Sequence, residues 1–356
     1  MIRTALVGYG KVAHIHARVL AQSTLADCVA VCGRDRDKAM GFADQHGIPA
    51  YDTHLAQLIT EQDIQAIIVC TPHPVHAESA VVAAQMGVHV LVEKPLATML
   101  ADCDAIIQAA NAGGVQIGVI SQRRFYEPAL RVRQAIDDGK IGKPILGTVQ
   151  MLGWRNRDYY QSDPWRGTWE HEGGGLLVNQ APHQLDLLLW YMGEPAEVTA
   201  YWDNLNHPYI EVEDTAVAII RFKNGALGNI VLSNSQKPGL FGKVHVHGDN
   251  GASIGVQTES GSMFIAGMSD ITEPPLNDIW TIPGEEHHLA QWLEDDRHHF
   301  EQIDATAYYI AQQVEDFMQA ILADRPPAVT AQDGRAVVAL FNAIYESQRQ
   351  QKTIHF

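Results

Sequence analysis

Glu93, Lys94 and Pro95 directly follow "GVHVLV", a hydrophobic run that is typical of a short buried strand. Pro95 has no N–H group and restricts the residue before it, so we expect the strand to end here. Open parallel sheets bind ligands beyond the carboxyl ends of their strands, where the Lys94 ammonium group could donate hydrogen bonds to a ligand oxygen. For these residues alone a solvated Glu-Lys turn is the more ordinary explanation, because charged side chains are usually exposed.

A second group of candidate catalytic residues lies in "WEHEGGGLLVNQAPHQLDLLLWYMG", where three glycines lead into an apolar helix. Asn179, His183 and Asp186 are separated by four and three residues, so Asn179 and His183 can point into one pocket. A neutral imidazole, with a reference pKa near ~6.5, suits a general base. The alternative is that His183 is an ordinary core residue with Asp186 as its structural partner.

The chain opens with the pattern of a strand, a glycine turn and a helix, "RTALVGYGKVAHIHARVLAQS". Gly8, Gly10 and Ala13 match the Gly-x-Gly-x-x-Gly/Ala fingerprint of dinucleotide sites, in which a pyrophosphate lies at the helix N-terminus. The sequence therefore predicts a bound dinucleotide. In the same helix we expect His14 on the cofactor side and His16 at the surface.

The end of the second predicted strand determines the choice between NAD and NADP. NAD-specific sites usually have a carboxylate here, which binds the ribose 2′-OH group. In this chain Gly33 offers no carboxylate, and Arg34 could contact a 2′-phosphate or stack on adenine. In the alternative, Arg34 caps a turn and Asp35 reaches the ribose. We favour NADP.

Alternating strands and helices must position these groups in the first third of the chain. The helical patterns end at glycines such as Gly47 and Gly87, and the alternation predicts right-handed crossovers in a parallel sheet. The predicted fold class is α/β, with an N-terminal doubly wound Rossmann domain over residues 1–121. An α+β domain over residues 122–356 would then serve substrate binding and oligomerisation.

Short strand patterns in residues 122–356 predict a mainly antiparallel, open sheet. "FKNGALGN" predicts a hairpin, with a primed turn at Asn224-Gly225. Residues 262–300 have weak periodicity and many Pro, Asp and Glu residues, so we expect loops there. One face of the sheet would pack on helices and the other would meet substrate or another subunit, so we expect a homodimer or homotetramer.

Arginine and aromatic residues cluster at the start of the second domain and before the glycine run. Aromatic faces with hydrogen-bonding arms suit sugars, and arginines also bind phosphate or carboxylate groups. Any one of these residues could instead lie at the surface or in an interface. The predicted substrate-binding residues are Arg123, Arg124, Tyr126, Trp154, Trp165, Arg166 and His183.

The composition opposes several other classes of protein. The chain has 42 acidic and 25 basic residues and a net charge of −17, which opposes a nucleic acid or an anionic membrane as the main partner. No apolar run approaches the ~20 residues of a membrane helix and no signal-peptide pattern is present, so we expect a cytoplasmic protein. The four cysteines form no CxxC pair and should be free thiols. The histidine-rich segments "EEHHL" and "EDDRHHF" lack a ligand geometry, so we expect no metal site.

Together these motifs resemble the Gfo/Idh/MocA family of NAD(P)-dependent oxidoreductases. The resemblance rests on the glycine fingerprint, on Thr71-Pro72-x-x-x-His76, on Glu93-Lys94-Pro95 and on the glycine-led helix with His183, in this order along nearly the whole chain. It implies hydride transfer between the nicotinamide of NAD(P)(H) and a carbinol carbon of a sugar, cyclitol or glycoside. The cofactor-binding residues that it implies are Gly8, Gly10, Lys11, Val12, Ala13, Gly33, Arg34, Thr71, Pro72, His76, Glu93 and Lys94.

The lysine and histidine of the family's active site correspond to Lys94 and His183. Many members have an Asp four residues before the histidine, where this chain has Asn179, and this departure resembles a subset of nucleotide-sugar 3-dehydrogenases. We therefore expect Lys94, His183 and Asn179 as catalytic residues, with Glu93 orienting Lys94 or closing the cofactor pocket. The alternative is a non-catalytic dinucleotide-sensing regulator of the same fold, which would need neither Lys94 nor His183.

Overall fold

The computed structural model describes residues 1–237, 239–240, 242–258 and 274–356 of the chain. The chain divides into two compact units, each with its own sheet. The first unit comprises Met1–Gln122 and Thr306–Val338, and the second comprises Arg123–Ala305 and Ala339–Phe356.

A parallel sheet with the strand order β3-β2-β1-β4-β5-β6 lies at the centre of the first unit. Its central strand β4 is a continuous and fully buried apolar run, as expected of a strand that is covered on both faces. The strand order reverses between β1 and β4, which is where such sheets bind ligands. The predicted doubly wound fold is therefore confirmed. The strands are β1 (Ile2–Val7), β2 (Ala26–Cys32), β3 (Ala50–Asp52), β4 (Ala66–Val69), β5 (His89–Val92) and β6 (Ile117–Val119), and the helices between them are α1 (Lys11–Gln22), α2 (Arg36–His46), α3 (Leu55–Glu61), α4 (His76–Gln85) and α5 (Leu100–Gly113).

The second unit contains a mixed sheet with the order β12-β11-β7-β10-β9-β8-β13. β10 and β7 are parallel, whereas the other neighbouring pairs are antiparallel, so the mainly antiparallel sheet is confirmed. In β9 buried and exposed residues alternate, as they do when one face of a strand packs on a core. The strands are β7 (Pro144–Leu152), β8 (Pro195–Asp203), β9 (Thr215–Phe222), β10 (Leu227–Ser233), β11 (Gly242–Gly248), β12 (Ser253–Thr258) and β13 (Ile354–His355).

Two details of this unit differ from the prediction. β9 and β10 form the expected hairpin, but its loop has three residues and a positive φ at Gly225 alone, because Phe222 N–H bonds to the Ala226 carbonyl group. Loops were expected over residues 262–300, yet α11 (His288–Gln302) is a helix, and Asp296 on its buried side pairs with Arg131. Residues 262–273 of that prediction lie outside the described residues. The other helices of this unit are α6 (Glu127–Asp137), α7 (Arg157–Gln161), α8 (Trp169–Glu172), α9 (Leu176–Asn179) and α10 (Pro182–Met192).

The segment Thr306–Val338 belongs to the first unit, although the predicted boundary gave all of residues 122–356 to the second domain. It contains α12 (Tyr308–Leu322) and the first part of α13 (Ala331–Gln350). The apolar face of α12, including Val314 and Phe317, lies in the same hydrophobic cluster as the first parallel sheet. In addition, the Gln313 side chain bonds to the backbone of Val119 and Ser121. Burial of that apolar face returns the chain to the first sheet.

Candidate active site

The glycine turn after β1 leaves space beside the start of α1. Gly8 has a φ of 105°, and a Cβ atom there would come within 2.7 Å of the Cys70 carbonyl oxygen. Gly10 is the N-cap residue of α1, and a Cβ atom there would meet none of the described residues within 4 Å. No described side chain caps this helix, and its first turn, Lys11–Ala13, contains no acidic residue. Backbone N–H groups at such a helix end fit a pyrophosphate.

The surroundings of Arg34 and Asp35, just after β2, bear on which of the two could contact the ribose of a cofactor. The Asp35 carboxylate caps α2 by accepting the N–H groups of Asp37 and Lys38, each at 3.1 Å. The Lys38 N–H bond contributes most to lowering the pKa of Asp35. Arg34 is exposed, and any side chain at Gly33 would overlap the Tyr9 ring. The carboxylate is thus engaged by its own helix, and the adjacent exposed group is a cation.

Thr71 and Pro72 follow β4 at the same edge of the sheet. The Thr71 hydroxyl oxygen is buried and has no hydrogen-bond partner among the described residues. A buried hydroxyl group normally bonds to something, so this atom fits a polar ligand at the cofactor site. Together with the open glycine turn, it makes the first unit compatible with a dinucleotide.

His76 differs from the prediction that it contacts cofactor. Its side chain is 0% exposed, its Nδ1 lies 2.8 Å from the Pro95 carbonyl oxygen, and its Nε2 lies 2.8 Å from the Thr71 carbonyl oxygen. Burial is the largest cause of its lowered pKa. Since both ring nitrogens face backbone oxygens, we correct the assignment: His76 joins the ends of two strands and does not present a nitrogen to a ligand.

The Glu93 carboxylate is buried under Lys94, with 8% of the residue exposed. Its Oε1 lies 2.8 Å from Nε2 of His16, and its Oε2 accepts the Lys94 N–H at 3.1 Å. Burial opposes ionisation, yet the hydrogen bond and charge of His16, together with Lys94, lower the pKa of Glu93. His16 was expected at the surface but is 0% exposed, so that prediction was wrong. Its position three residues after Ala13, on the face of α1 that packs on the sheet, was the available signal.

In the second unit a buried carboxylate holds the glycine run in place. Glu213 accepts the N–H groups of Gly175 and Leu177, each at 2.9 Å, and the Tyr345 hydroxyl at 2.8 Å. Burial raises the pKa of Glu213 to about 7, although these hydrogen bonds oppose the rise. A Cβ atom at Gly174 would overlap the Tyr345 hydroxyl group, so only glycine fits at this position. The first turn of α9 therefore takes its hydrogen-bond partner from a distant strand end.

The helix that was expected to carry Asn179 and His183 is divided in two. α9 ends at Asn179, and α10 begins at Pro182, with His183 buried in its first turn. The Asn179 amide donates to Oε1 of Glu172 and to the Tyr159 hydroxyl. The shared pocket of Asn179 and His183 stays a prediction.

Tyr159 joins several of the predicted substrate residues, although it was not itself predicted. Its hydroxyl accepts Nη1 of Arg166 at 2.6 Å and Nε2 of Gln180 at 2.8 Å, besides the Asn179 amide. The Arg166 guanidinium also lies over the Trp165 ring, 4.3 Å from its centroid. The structure therefore brings Arg166, Trp165 and Asn179 together, and burial raises the pKa of Tyr159 so that its hydroxyl stays protonated.

The remaining predicted substrate residues lie in other surroundings. Both Nε and Nη2 of Arg124 donate to the Asp186 carboxylate, at 2.8 and 2.6 Å, and both residues are buried. Breaking such a pair costs ~3–5 kcal/mol, so Asp186 holds the Arg124 guanidinium in place. The assignment of Arg124 to substrate and of Asp186 to His183 stays a prediction. Arg123 donates to the Thr258 hydroxyl at 3.1 Å, and Tyr126 is the buried N-cap residue of α6. The backbone of Trp154 forms an isolated antiparallel β-bridge with Ser235.

The described residues contain no group of three or more His, Cys, Asp or Glu side chains arranged to hold a metal ion. The same residues contain no helix that is both long and apolar enough to cross a membrane. The four cysteines are free thiols, as expected.

Comparisons with known proteins agree with this architecture. Residues 2–121 match the family model "Oxidoreductase family, NAD-binding Rossmann fold", and residues 129–254 match the GFO/IDH/MocA C-terminal domain. Myo-inositol 2-dehydrogenase from Thermotoga maritima is 27% identical, covering 99% of this chain and 98% of that protein. 1,5-anhydro-D-fructose reductase from Ensifer adhaerens is 28% identical, covering 78% and 84%.

A solved structure is similar over the same length. The WlbA dehydrogenase from Bordetella pertussis, in complex with NADH and UDP-GlcNAcA, has a TM-score of 0.83 and 27% identity, covering 100% of this chain and 98% of that one. The two family models together span more than half of the sequence, in the order that the motifs predicted. The chain belongs to the GFO/IDH/MocA family of NAD-dependent sugar and inositol oxidoreductases.

Proposed function

We propose that this chain transfers hydride between NAD(P) and a carbinol carbon of a sugar, cyclitol or glycoside. Within this class, we propose the 3-position of a substituted sugar as the reacting carbon. The observation that carries the proposal lies within the first unit. Lys94 lies two residues after the end of β5, and only β4 separates β5 from β1, which leads into the glycine turn. Since neighbouring strands are ~4.8 Å apart, the lysine stands at the same edge as the dinucleotide turn, within reach of one cofactor.

The chain's own groups suit both halves of the reaction. Bound nicotinamide would supply the hydride acceptor or donor. Lys94 would donate a hydrogen bond to the reacting oxygen, which stabilises negative charge there in either direction. His183 would take the hydroxyl proton during oxidation and return it during reduction. Asn179 is uncharged and would keep His183 a competent base by not stabilising its protonated form.

A substituted sugar is supported by the surroundings of Asn179 and by one relative. Trp165 offers an aromatic face beside the Arg166 guanidinium. Nε and Nη1 of Arg166 bind Asp163 and the Tyr159 hydroxyl, and Nη2 would donate to a charged substituent. The WlbA dehydrogenase was solved with UDP-GlcNAcA, a sugar with such a substituent. The expected substrate class is therefore a sugar with a bulky or anionic group.

We also propose a preference for NADP. The exposed Arg34 and the helix-capping role of Asp35 support it, because a 2′-phosphate would meet a cation and no available carboxylate. A direct comparison of NAD and NADP dissociation constants tests the preference. Tighter binding of NAD would refute it.

A homodimer or homotetramer is the expected assembly. The face of the second sheet that carries Tyr201, Val217 and Ile219 exposes apolar side chains, and such patches usually mark contacts with another protein. Light scattering coupled to gel filtration would give the mass in solution, and a monomer at micromolar concentration would contradict the proposal.

The experiment that tests the function is a single-turnover assay at the reduced-nicotinamide absorbance band, against a panel of sugars, inositols and nucleotide sugars. Lys94→Ala and His183→Ala should each abolish turnover and leave the dissociation constant of the cofactor nearly unchanged. Wild-type turnover in both variants would refute the assigned roles. Tight cofactor binding without turnover of any substrate would instead favour the sensing regulator.

A further inference from the structure

Two fully buried histidines contact the residues that flank Lys94 in the sequence. His16, on α1, contacts the carboxylate of Glu93, the residue before Lys94. His76, at the start of α4, contacts the carbonyl oxygen of Pro95, the residue after it. Both histidines are 0% exposed, and neither touches solvent.

The contact on the His16 side passes through a chain of two hydrogen bonds. The imidazole Nε2 bonds to one oxygen of Glu93, and the other oxygen accepts the Lys94 N–H group. A carboxylate is costly to bury unless it is paired, so His16 decides whether Glu93 can stay inside and hold that N–H group. An apolar pair of similar size could fill the same space without fixing the backbone of Lys94.

The contact on the His76 side fixes the other flank. Its Nε2 faces the Thr71 carbonyl oxygen at the end of β4, so the ring packs between the segment after β5 and the neighbouring strand. A neutral imidazole donates through one nitrogen only, and the tautomer that holds Pro95 carries its proton on Nδ1. The carbonyl group of Pro95 would otherwise be a buried acceptor without this donor, which costs ~1–3 kcal/mol. The Lys94 N–H group is therefore held through His16 and Glu93, and the backbone after Lys94 is held by His76 directly.

We propose that His16 and His76 are positioning residues for Lys94, which fix its backbone from either side so that the ammonium group is presented in one place. The proposal rests on the catalytic role of Lys94 proposed above. A long lysine side chain loses conformational entropy when it is ordered, and a fixed backbone reduces the number of bonds that remain to be ordered. Neither histidine touches the reacting atoms.

Backbone amide exchange at Lys94 tests the proposal without any substrate. Glutamine places its NH2 group near the position of imidazole Nε2, whereas asparagine places it near Nδ1. His16→Gln should therefore keep the donor to Glu93, and His16→Asn should lose it. At His76 the order is reversed, since asparagine places its NH2 group near Nδ1, the nitrogen that faces Pro95, and glutamine does not.

The expected result, measured by NMR on protein with 15N-labelled lysine, is an opposite ranking at the two positions. His16→Asn and His76→Gln should each speed exchange of the Lys94 N–H by roughly 10- to 100-fold, the loss expected for a hydrogen bond to a charged or buried group. Their partner variants should stay within a few-fold of the native protein. His89→Gln is the control, because His89 begins the same strand and bonds to Gln116 N–H.

An equal effect of asparagine and glutamine at both positions, or an equal effect of His89→Gln, would overturn the proposal. Once a substrate is known, the two disruptive variants should lower kcat by a similar factor while the dissociation constant of the cofactor stays the same. An unchanged kcat alongside faster exchange would overturn the positioning role, because the backbone would then be held without consequence for turnover. Failure of the proposed function is distinguished by Lys94→Ala, which would keep its turnover.

Discussion

The Glu213 carboxylate accepts the Gly175 N–H at 2.9 Å, at the residue where the glycine run becomes helix α9. Its second oxygen accepts the Leu177 N–H, so one buried side chain satisfies two of the N–H groups that a helix start leaves open. The first unit contains a similar device, in which Glu93 accepts the Lys94 N–H. One buried carboxylate thus holds the N–H of Lys94 itself, and the other holds the start of the short helix that ends at Asn179.

Gly175→Ala should destabilise the protein, because a Cβ atom there would lie 3.0 Å from the Glu213 carboxylate carbon and closer still to its backbone oxygen. We expect the free energy of unfolding to fall by about 1–3 kcal/mol, the usual cost of overpacking. Denaturant titration measures it. Gly41→Ala is the matched control: it lies exposed in α2 with open space around it and should stabilise by about 0.5–1 kcal/mol. Equal effects at the two glycines would contradict the close approach.

The pKa of Glu213 predicts a dependence of stability on pH. Burial raises this pKa from 4.5 to about 7, so between these pH values the folded protein holds a proton that the unfolded chain releases. Stability from this group is therefore complete below about pH 4.5 and falls as pH rises to about 7, by roughly 3 kcal/mol.

Glu213→Gln should remove this contribution to the slope of the unfolding free energy against pH, measured by denaturant titration between about pH 4.5 and 7. Glu301→Gln changes the same charge at an exposed position of α11 and should leave the slope as it is in the native protein. A native slope in the Glu213 variant would mean that the group titrates equally in both states.

The first unit was predictable because its signals are local. The spacing of Gly8, Gly10 and Ala13 follows from the geometry of one turn, and Pro95 ends its strand by its own ring. Apolar runs separated by helices that close at glycines determine the order of elements without reference to distant residues. The candidate lysine could be found for the same reason.

The contacts that hold the site were not predictable, because they join residues far apart in sequence. His16 is 77 positions from Glu93, and Tyr159 is 20 positions from Asn179. A buried histidine or tyrosine has the same local pattern as an exposed one, and its partner is determined only by packing. The return of α12 to the first sheet has the same cause, since its apolar face fits either unit by pattern alone.

Arg34→Ala should weaken NADP binding more than NAD binding. Loss of a charge-assisted contact with the 2′-phosphate would raise the NADP dissociation constant by about 10- to 100-fold and leave that of NAD nearly unchanged. Titration of cofactor fluorescence measures both. Arg36→Ala is the control, because Arg36 pairs with Asp52 at 2.9 Å and lies over the Tyr51 ring. Equal losses for both cofactors would place Arg34 outside the phosphate site.

Asn179→Asp, which restores the residue common in the family, should harm this protein. The Asn179 amide donates to the Glu172 carboxylate, a residue only 1% exposed, and an aspartate would instead place a second carboxylate against it. We expect a loss of about 1–3 kcal/mol in the free energy of unfolding and a lower kcat, since a buried acceptor loses its donor.

Adding Glu172→Gln should rescue the Asn179→Asp variant, because the glutamine amide can then donate to the new carboxylate. Glu172 also accepts the Gly167 N–H through its other oxygen. Glu172→Gln alone should destabilise the protein, because a glutamine has one carbonyl oxygen in place of the two oxygens that accept from Gly167 and Asn179. Stability of the native protein, both single variants and the double variant gives a coupling energy, which for groups in direct contact is typically about 0.5–3 kcal/mol. Additive losses in the double variant would show that residues 172 and 179 act independently, and the absence of the family's aspartate would then need a cause other than the carboxylate that Glu172 already supplies.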